Sequence, residues 1–180
     1  MVMKRLTLCF AAFVMLTSCG TPKQQNALPE LVGVYHAARS IEGALAVGVT
    51  YPEFGTLIRK FSTELILARD QAKFDPPVSP GVTQVLDNYG KLLIMYKDSS
   101  TVWGLELEKK TNGDLPTIAA KYGASSAIRE EPRAIGSYRY KETIADYEAL
   151  RQTIWEQAGR LHEQQIPVVY GYPVERLKNK

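Results

Sequence analysis

Apolar residues recur at every third or fourth position along most of this chain, which is the spacing of one face of an α-helix. The first such stripe runs through residues 28–49, and others follow in residues 54–72, 82–107 and 140–161. No segment alternates apolar and polar residues for long enough to indicate a sheet. The longest strand-like run is Val168-Val169-Tyr170. The pattern therefore predicts an all-α chain.

The clearest helix boundary lies between the first two stripes. Thr50 is followed three positions later by Glu53, which is the spacing of a capping box, and Pro52 suits a first helical turn. Asp75-Pro76-Pro77 predicts the end of this second helix. The break between the first two helices is short, so we expect them to form an antiparallel hairpin.

The remaining boundaries complete the fold prediction. Ser79-Pro80 indicates the start of a third helix, which we expect to continue to Asn112-Gly113, and a short fourth helix should follow from Asp114 to Tyr122. Ala124 to Ser137 contains a proline and a glycine and is expected to be irregular. We predict an antiparallel helical bundle of four long helices plus one short helix, in residues 28–165.

The N-terminus has the layout of an export signal. Lys4 and Arg5 precede an apolar run from Leu6 to Leu16, and Leu16-Thr17-Ser18-Cys19 follows. This ending resembles the lipobox of bacterial lipoproteins. The resemblance implies that residues 1–18 are a removed signal peptide and that Cys19 is lipidated. It also implies that residues 19–27 tether the domain to a membrane.

Other interpretations of this segment are an uncleaved membrane helix and a plain secretory signal that ends at Ser18. The apolar run has 11 residues, whereas a spanning helix needs about 20. Gly20, and not Asp, follows the lipobox cysteine, which in lipoproteins of enterobacteria favours the outer membrane. The expected location is the bacterial cell envelope, with the domain facing the periplasm.

Cleavage would change what the composition implies. Removing 18 of 180 residues leaves 162, enough for one domain with a hydrophobic core. It also removes two of the 22 basic residues and leaves 20 against 19 acidic ones, so the chain becomes nearly neutral and nucleic acid is not an expected partner. Cys9 and Cys19 are the only cysteines, and no thiol would remain for a disulfide or a thiolate metal site.

Three segments resemble known catalytic motifs, but each of them lacks a required residue. Gly43 to Thr50 has the glycine spacing of a phosphate-binding loop but no lysine, and Ser125-Ser126 lacks the second glycine of a nucleophile elbow. His162 begins a zinc-protease pattern, but Ile166 stands where the second histidine must be. We therefore expect no catalytic residue, no metal and no cofactor, and we interpret His162 as part of a solvated helix end.

Charged residues beside the apolar stripes are the first candidate binding residues. Arg39 and Glu42 lie three positions apart on the first helix, and Glu64 and Arg151 lie on or beside other stripes. Ordinary surface ion pairs explain this placement, and so does a polar network inside the bundle that recognises a ligand.

Aromatic residues form the second candidate. Tyr89, Tyr96 and Trp103 share one face of the third helix at a spacing of seven, which is typical of a core stripe. The C-terminal tail, residues 166–180, is apolar and aromatic at its start and is expected to lie outside any helix. It either packs back onto the bundle or offers an extended segment to a partner.

These observations leave two main functional hypotheses. The first is a membrane-anchored, non-enzymatic scaffold or adaptor that holds an envelope protein partner. The alternative is a binding module for a small amphiphilic ligand between helices, with Arg39, Glu42 and Trp103 as the binding residues. An enzyme that uses carboxylates such as Glu42 and Glu64 is a third interpretation. A cavity between the first three helices would favour the ligand, and a filled core with an exposed apolar patch would favour the adaptor.

Overall fold

The structure is a computed structural model that describes residues 28–74, 80–111 and 113–170. The predicted signal peptide, the lipidation site Cys19 and the tether lie outside the described residues, as does the tail from residue 171 onward. The described chain is mostly helical and also contains one small antiparallel sheet. The prediction of a predominantly helical fold is confirmed.

Six helices and two strands make up the described chain. They are α1 (Pro29–Val47), α2 (Tyr51–Phe74), α3 (Pro80–Leu107), α4 (Asp114–Lys121), β1 (Ile128–Ile135), β2 (Tyr138–Ala145), α5 (Tyr147–Glu163) and α6 (Ile166–Val169). A single 3₁₀ turn, Ser125–Ala127, precedes β1. Among the described helices, none combines the length and the hydropathy that a membrane-spanning segment needs.

Local hydrogen bonds explain where the helices begin. The backbone N–H and the hydroxyl of Thr50 both donate to the Glu53 carboxylate, at 3.0 and 2.7 Å, which fixes the start of α2 as the sequence predicts. The Asp146 carboxylate accepts from the backbone N–H of Ala149 and caps α5. Helix α3 continues through the polar stretch 98–101, where Ser99 is fully buried.

Among the long helices, α1 packs on α2, α2 on α3 and α3 on α5. The end of α2 meets the start of α3, where Arg69 donates to the Leu86 carbonyl at 3.3 Å. The start of α5 meets the end of α3 through Arg151 and Glu106. We call the two ends of the fold proximal and distal. At the proximal end the N–H of Leu28 donates to the carbonyl of Val169, and the distal end holds the α1–α2 turn at residues 48–50.

Two hydrophobic cores fill the space between the helices. The larger core joins α1, α2 and most of α3, with Ala158 of α5 and Val169 of α6. Its largest fully buried side chains include Phe54, Phe61, Tyr89 and Tyr96. The second core lies at the distal end, where α4 packs on the end of α3 and the start of α5. Burial of this apolar surface is the main stabilising contribution.

The antiparallel hairpin of β1 and β2 shows that the all-α prediction is wrong. Ile128 pairs with Ala145 at the base and Ile135 pairs with Tyr138 at the tip, around a two-residue turn at Gly136-Ser137. Gly136 has φ +60°, which glycine adopts at little cost. The segment expected to be irregular is therefore largely a strand, and residues 140–145, expected in the last helix, are strand as well.

Two further boundaries differ from the predictions. Helix α3 ends at Leu107, five residues before the predicted Asn112-Gly113, because Lys109 adopts a left-handed backbone with φ +53°. The prediction that the tail lies outside any helix is wrong at its start, since Ile166–Val169 forms the single turn α6. Pro167 and Val169 are buried, so this part of the tail packs back onto the core.

Candidate functional site

Among the described residues, the β-hairpin packs against the rest of the fold at its base. Ile128 and Ala145 pack against the second core, and beyond them the strands are largely exposed. Each strand has eight residues and so spans roughly 26 Å. The hairpin is therefore an arm that extends from the distal end, where α5 begins.

Apolar and aromatic side chains form the tip of this arm. Ile135 and Tyr138 pair directly across the two strands and are 70% and 69% exposed. Tyr140 lies on the same face and stacks on Tyr138 with ring centroids 6.1 Å apart. We call these three residues the hairpin tip. Large exposed apolar groups that cluster in this way mark interaction surfaces more often than single exposed residues do.

Ion pairs hold the middle of the hairpin together. Arg133 of β1 pairs with Glu142 of β2 at 2.6 Å, and Lys141 of β2 pairs with Glu130 of β1 at 2.7 Å on the opposite face. Cross-strand pairs of opposite charge contribute modestly to a sheet. A two-stranded sheet without further support is only marginally stable in water. The arm is thus a separate element, and the described part of the fold leaves its apolar tip exposed.

Trp103 lies at the distal end of the helices in an aromatic and ionic cluster. The guanidinium of Arg151 lies over the Trp103 ring, 4.8 Å from its centroid, and also contacts Trp155 at 5.8 Å. Arg151 is buried and forms ion pairs with Glu106 and Glu148. Trp103 also packs edge-on against Tyr51 of α2. This cluster joins α2, α3 and α5 and is filled by its own side chains.

Arg39, Glu42 and His162 form a second polar cluster nearer the middle of the fold. Arg39 donates to Glu42 Oε2 at 2.8 Å, and the Nδ1–H of His162 donates to Glu42 Oε1 at 2.7 Å. The side chain of Arg39 is exposed, that of Glu42 is mostly buried and that of His162 is 1% exposed. The expectation of a solvated His162 is wrong, because the chain continues into α6 and His162 packs against Tyr35 and Tyr89.

The pKa values in this cluster follow from burial and hydrogen bonding. Burial raises the pKa of the Glu42 carboxyl, but the hydrogen bonds and electrostatic contributions of His162 and Arg39 outweigh it, so the net pKa is below the ordinary value. Burial also raises the pKa of the Tyr89 and Tyr96 hydroxyls, and the nearby Glu42 carboxylate adds to the shift. The tyrosines are therefore neutral, and Glu42 is ionised at neutral pH.

A cavity of about 260 Å³ opens between α1, α3 and α5 beside Glu42. We call it the Glu42 cavity, and its lining residues are Glu42, Leu45, Ala46, Tyr96, Gln152, Trp155 and Glu156. The Tyr96 hydroxyl and the Trp155 Nε1–H are buried and have no hydrogen-bond partner among the described residues. A larger cavity of about 540 Å³ between α2 and α3 contains no such buried unpaired group in its lining.

The structure brings together only part of the predicted binding set. Arg39 and Glu42 are in direct contact, whereas Trp103 is not among the residues that line the Glu42 cavity. Trp155 lines the cavity, and its ring centroid lies 6.1 Å from that of Trp103. Glu64 lies on α2 with its carboxylate against Gly33 of α1, away from Glu42.

Sequence reasoning missed the hairpin tip, His162 and Trp155 as candidate site residues. The turn Gly136-Ser137 between two runs that contain β-branched and aromatic residues was the signal available for the hairpin. Within residues 28–74, 80–111 and 113–170, no group of three or more potential ligands could hold a metal ion. Comparison of the chain with protein-family models, curated proteins and solved structures found no match. Function is therefore inferred from the sequence and the geometry alone.

Proposed function

We propose that this protein is a membrane-anchored envelope lipoprotein whose helical domain acts as a scaffold or adaptor for a protein partner. In this proposal the four long helices form one antiparallel bundle. A lipid on Cys19 holds its proximal end at the membrane, on the periplasmic face of the outer membrane. The single observation that carries the proposal is the exposed hairpin tip at the distal end.

The positions of the two ends support this arrangement. Helix α1 begins at the proximal end, immediately after the proposed tether of residues 19–27. Helix α3 has 28 residues and spans about 42 Å from the proximal to the distal end. The bundle therefore separates the anchor from the arm by roughly that distance. A rigid spacer with an apolar tip at the end away from its anchor suits a protein that positions a partner.

The chemistry of the tip indicates the kind of surface it binds. Ile135 and Tyr138 offer a continuous apolar area, and the Tyr138 hydroxyl can form a hydrogen bond at its edge. Aromatic and aliphatic anchors of this kind bind best in an apolar pocket of a partner protein.

Co-purification of the full-length, lipidated protein from its native envelope tests this function. We expect a stoichiometric protein partner with the wild-type chain and its loss with the double variant Ile135→Ser/Tyr138→Ser. The matched control is Ile66→Ser/Leu67→Ser, which removes two exposed apolar side chains from α2 instead. Since all four side chains are exposed, both variants should keep the helical circular dichroism spectrum. A partner that survives the tip variant, or no stoichiometric partner at all, would contradict the proposal.

A further inference from the structure

The cavity of about 540 Å³ between α2 and α3, which we call the α2–α3 cavity, carries positive charge. Arg59 of α2 and Lys97 of α3 line it, and both residues are exposed to solvent. No Asp or Glu of the described chain is among its lining residues. Two cations on neighbouring helices therefore border one space without a carboxylate between them.

The acidic residues nearest to these cations in sequence are engaged elsewhere. Asp98 follows Lys97 directly but is ion-paired with α4. Glu64 is the acidic residue nearest to Arg59, and its carboxylate lies against Gly33 of α1. Within the described residues, neither cation forms an ion pair. A counter-charge for the cavity must therefore come from a bound anion or from dissolved salt.

The guanidinium of Arg59 is directed along the wall of the cavity. Its Nη2 donates to the Thr56 hydroxyl at 2.8 Å, and its Nη1 lies 3.8 Å from the point that a Cβ on Gly55 would occupy. Gly55 and Thr56 both line the cavity, so the charged group lies over the lining and does not extend away from it. Four of its five N–H groups remain for a ligand.

Two hydroxyl groups add neutral donors on the same walls. Tyr51 and Ser100 line the cavity, both are accessible to solvent, and their hydroxyls have no hydrogen-bond acceptor within the described residues. The Tyr51 ring is held edge-on against Trp103, with ring centroids 5.8 Å apart. The cavity thus combines a forked cation, a point charge and hydroxyl donors from two helices.

This set of donors fits an anion with oxygens in several directions. A phosphate group presents tetrahedral oxygens to such donors, whereas a carboxylate offers two oxygens in one plane. The volume exceeds that of a phosphate group, and Pro52 and Ile58 give the lining an apolar part for an organic substituent. We propose that the α2–α3 cavity binds a phosphomonoester, with Arg59 and Lys97 supplying the counter-charge and the Tyr51 and Ser100 hydroxyls donating to further phosphate oxygens. This site is separate from the hairpin tip and does not depend on the adaptor function.

Isothermal titration calorimetry of the full-length protein in a non-ionic detergent tests the site. The probes are inorganic phosphate, glycerol phosphate and, as a control without phosphate, glycerol. We expect saturable binding of glycerol phosphate and no heat of binding with glycerol. If neither phosphate compound binds saturably, the proposal is overturned.

A lipid headgroup and a soluble phosphomonoester share this chemistry, and dioctanoyl phosphatidic acid distinguishes the two sources. Its headgroup is glycerol phosphate, to which two acyl chains are attached. Tighter binding of this lipid than of glycerol phosphate, weakened by Arg59→Gln, identifies a lipid headgroup as the ligand. Equal or weaker binding of the lipid identifies a soluble phosphomonoester.

Three charge variants give a matched comparison. Arg59→Gln and Lys97→Gln each remove one cation that lines the cavity, and each should weaken binding of glycerol phosphate about five- to tenfold. Lys60→Gln is the control, because Lys60 is the next residue of α2, is exposed and does not line the cavity. Its binding should stay within about twofold of wild type, since salt screens a charge outside the site. All three side chains are exposed, so the variants should fold. Equal weakening by Arg59→Gln and Lys60→Gln would show a response to overall charge alone and would refute the site.

Discussion

Arg151 forms its ion pairs at the distal end, and removing the arginine should change stability by a different amount from removing its carboxylate partners. Arg151 has a side chain that is 6% exposed, whereas the carboxylates it pairs with, on Glu106 and Glu148, are 37% and 68% exposed. Removing the arginine leaves two carboxylates that water can solvate. Removing the carboxylates leaves a buried guanidinium without a counter-charge. The two perturbations delete the same ion pairs, but only the second isolates a buried charge.

The expected magnitudes follow from this difference. Breaking a buried ion pair by removing one partner costs about 3–5 kcal/mol in general. Here the Trp103 and Trp155 rings still stabilise the guanidinium, so we expect Glu106→Gln/Glu148→Gln to lower the free energy of unfolding by about 2–3 kcal/mol. Arg151→Met keeps most of the apolar stem volume between the rings, and its effect should stay within about 1 kcal/mol.

Urea unfolding monitored by circular dichroism measures both variants. With a slope of about 2 kcal/mol per molar urea, the double variant should lose about 1 M in midpoint, and Arg151→Met should lose less than half of that. The single variants Glu106→Gln and Glu148→Gln serve as controls, because each leaves one carboxylate on Arg151. If Arg151→Met destabilises the protein as much as the double variant, the burial of an uncompensated guanidinium does not explain the loss of stability.

Two further predictions concern the anchor and the polar cluster. Cys19→Ala should abolish lipid labelling and move the protein from the membrane to the soluble fraction; unchanged labelling and pelleting would remove the basis of the lipoprotein proposal. The lowered pKa of Glu42 means that its ionised form stabilises the fold above pH 4.5, its ordinary value, and that this contribution is lost as pH falls through the lowered pKa. The stability gap between wild type and Glu42→Gln should therefore be largest near neutral pH and shrink below pH 4.5, and a gap that is constant with pH would contradict the assigned pairing.

The helical part of the fold could be predicted because its signals are local. Thr50 and Glu53 are three residues apart, so their hydrogen bonds form within one turn and are visible in the sequence. Proline near the start of α3 marks a boundary for the same reason. The predicted apolar stripe of α3 passes through Ser100, but the structure buries Ser99 fully and Ser100 only partly. The helix therefore continues through this polar stretch as predicted, while its buried face shifts by one residue.

The hairpin and the buried histidine could not be predicted in the same way. β1 contains Arg129-Glu130-Glu131-Pro132, which has neither alternation nor strong strand propensity, and its pairing depends on ion pairs to β2 that exist only after folding. His162 lies near the end of α5 and is followed by the exposed polar residues Glu163 and Gln164, so the sequence around it indicates a solvated helix end. Its burial results from contacts with α1 and α3, which are distant in the chain.

The hydrogen bond between Leu28 and Val169 has a mechanical consequence. It places the point where a membrane tether would enter the domain beside the last turn of the described chain, at the end away from the hairpin. Tension between the anchor and a partner on the hairpin tip would then run along the helix axes. Under such a load the helices must slide past one another across their whole packed length, instead of separating one turn at a time. The domain would therefore resist stretching along its long axis.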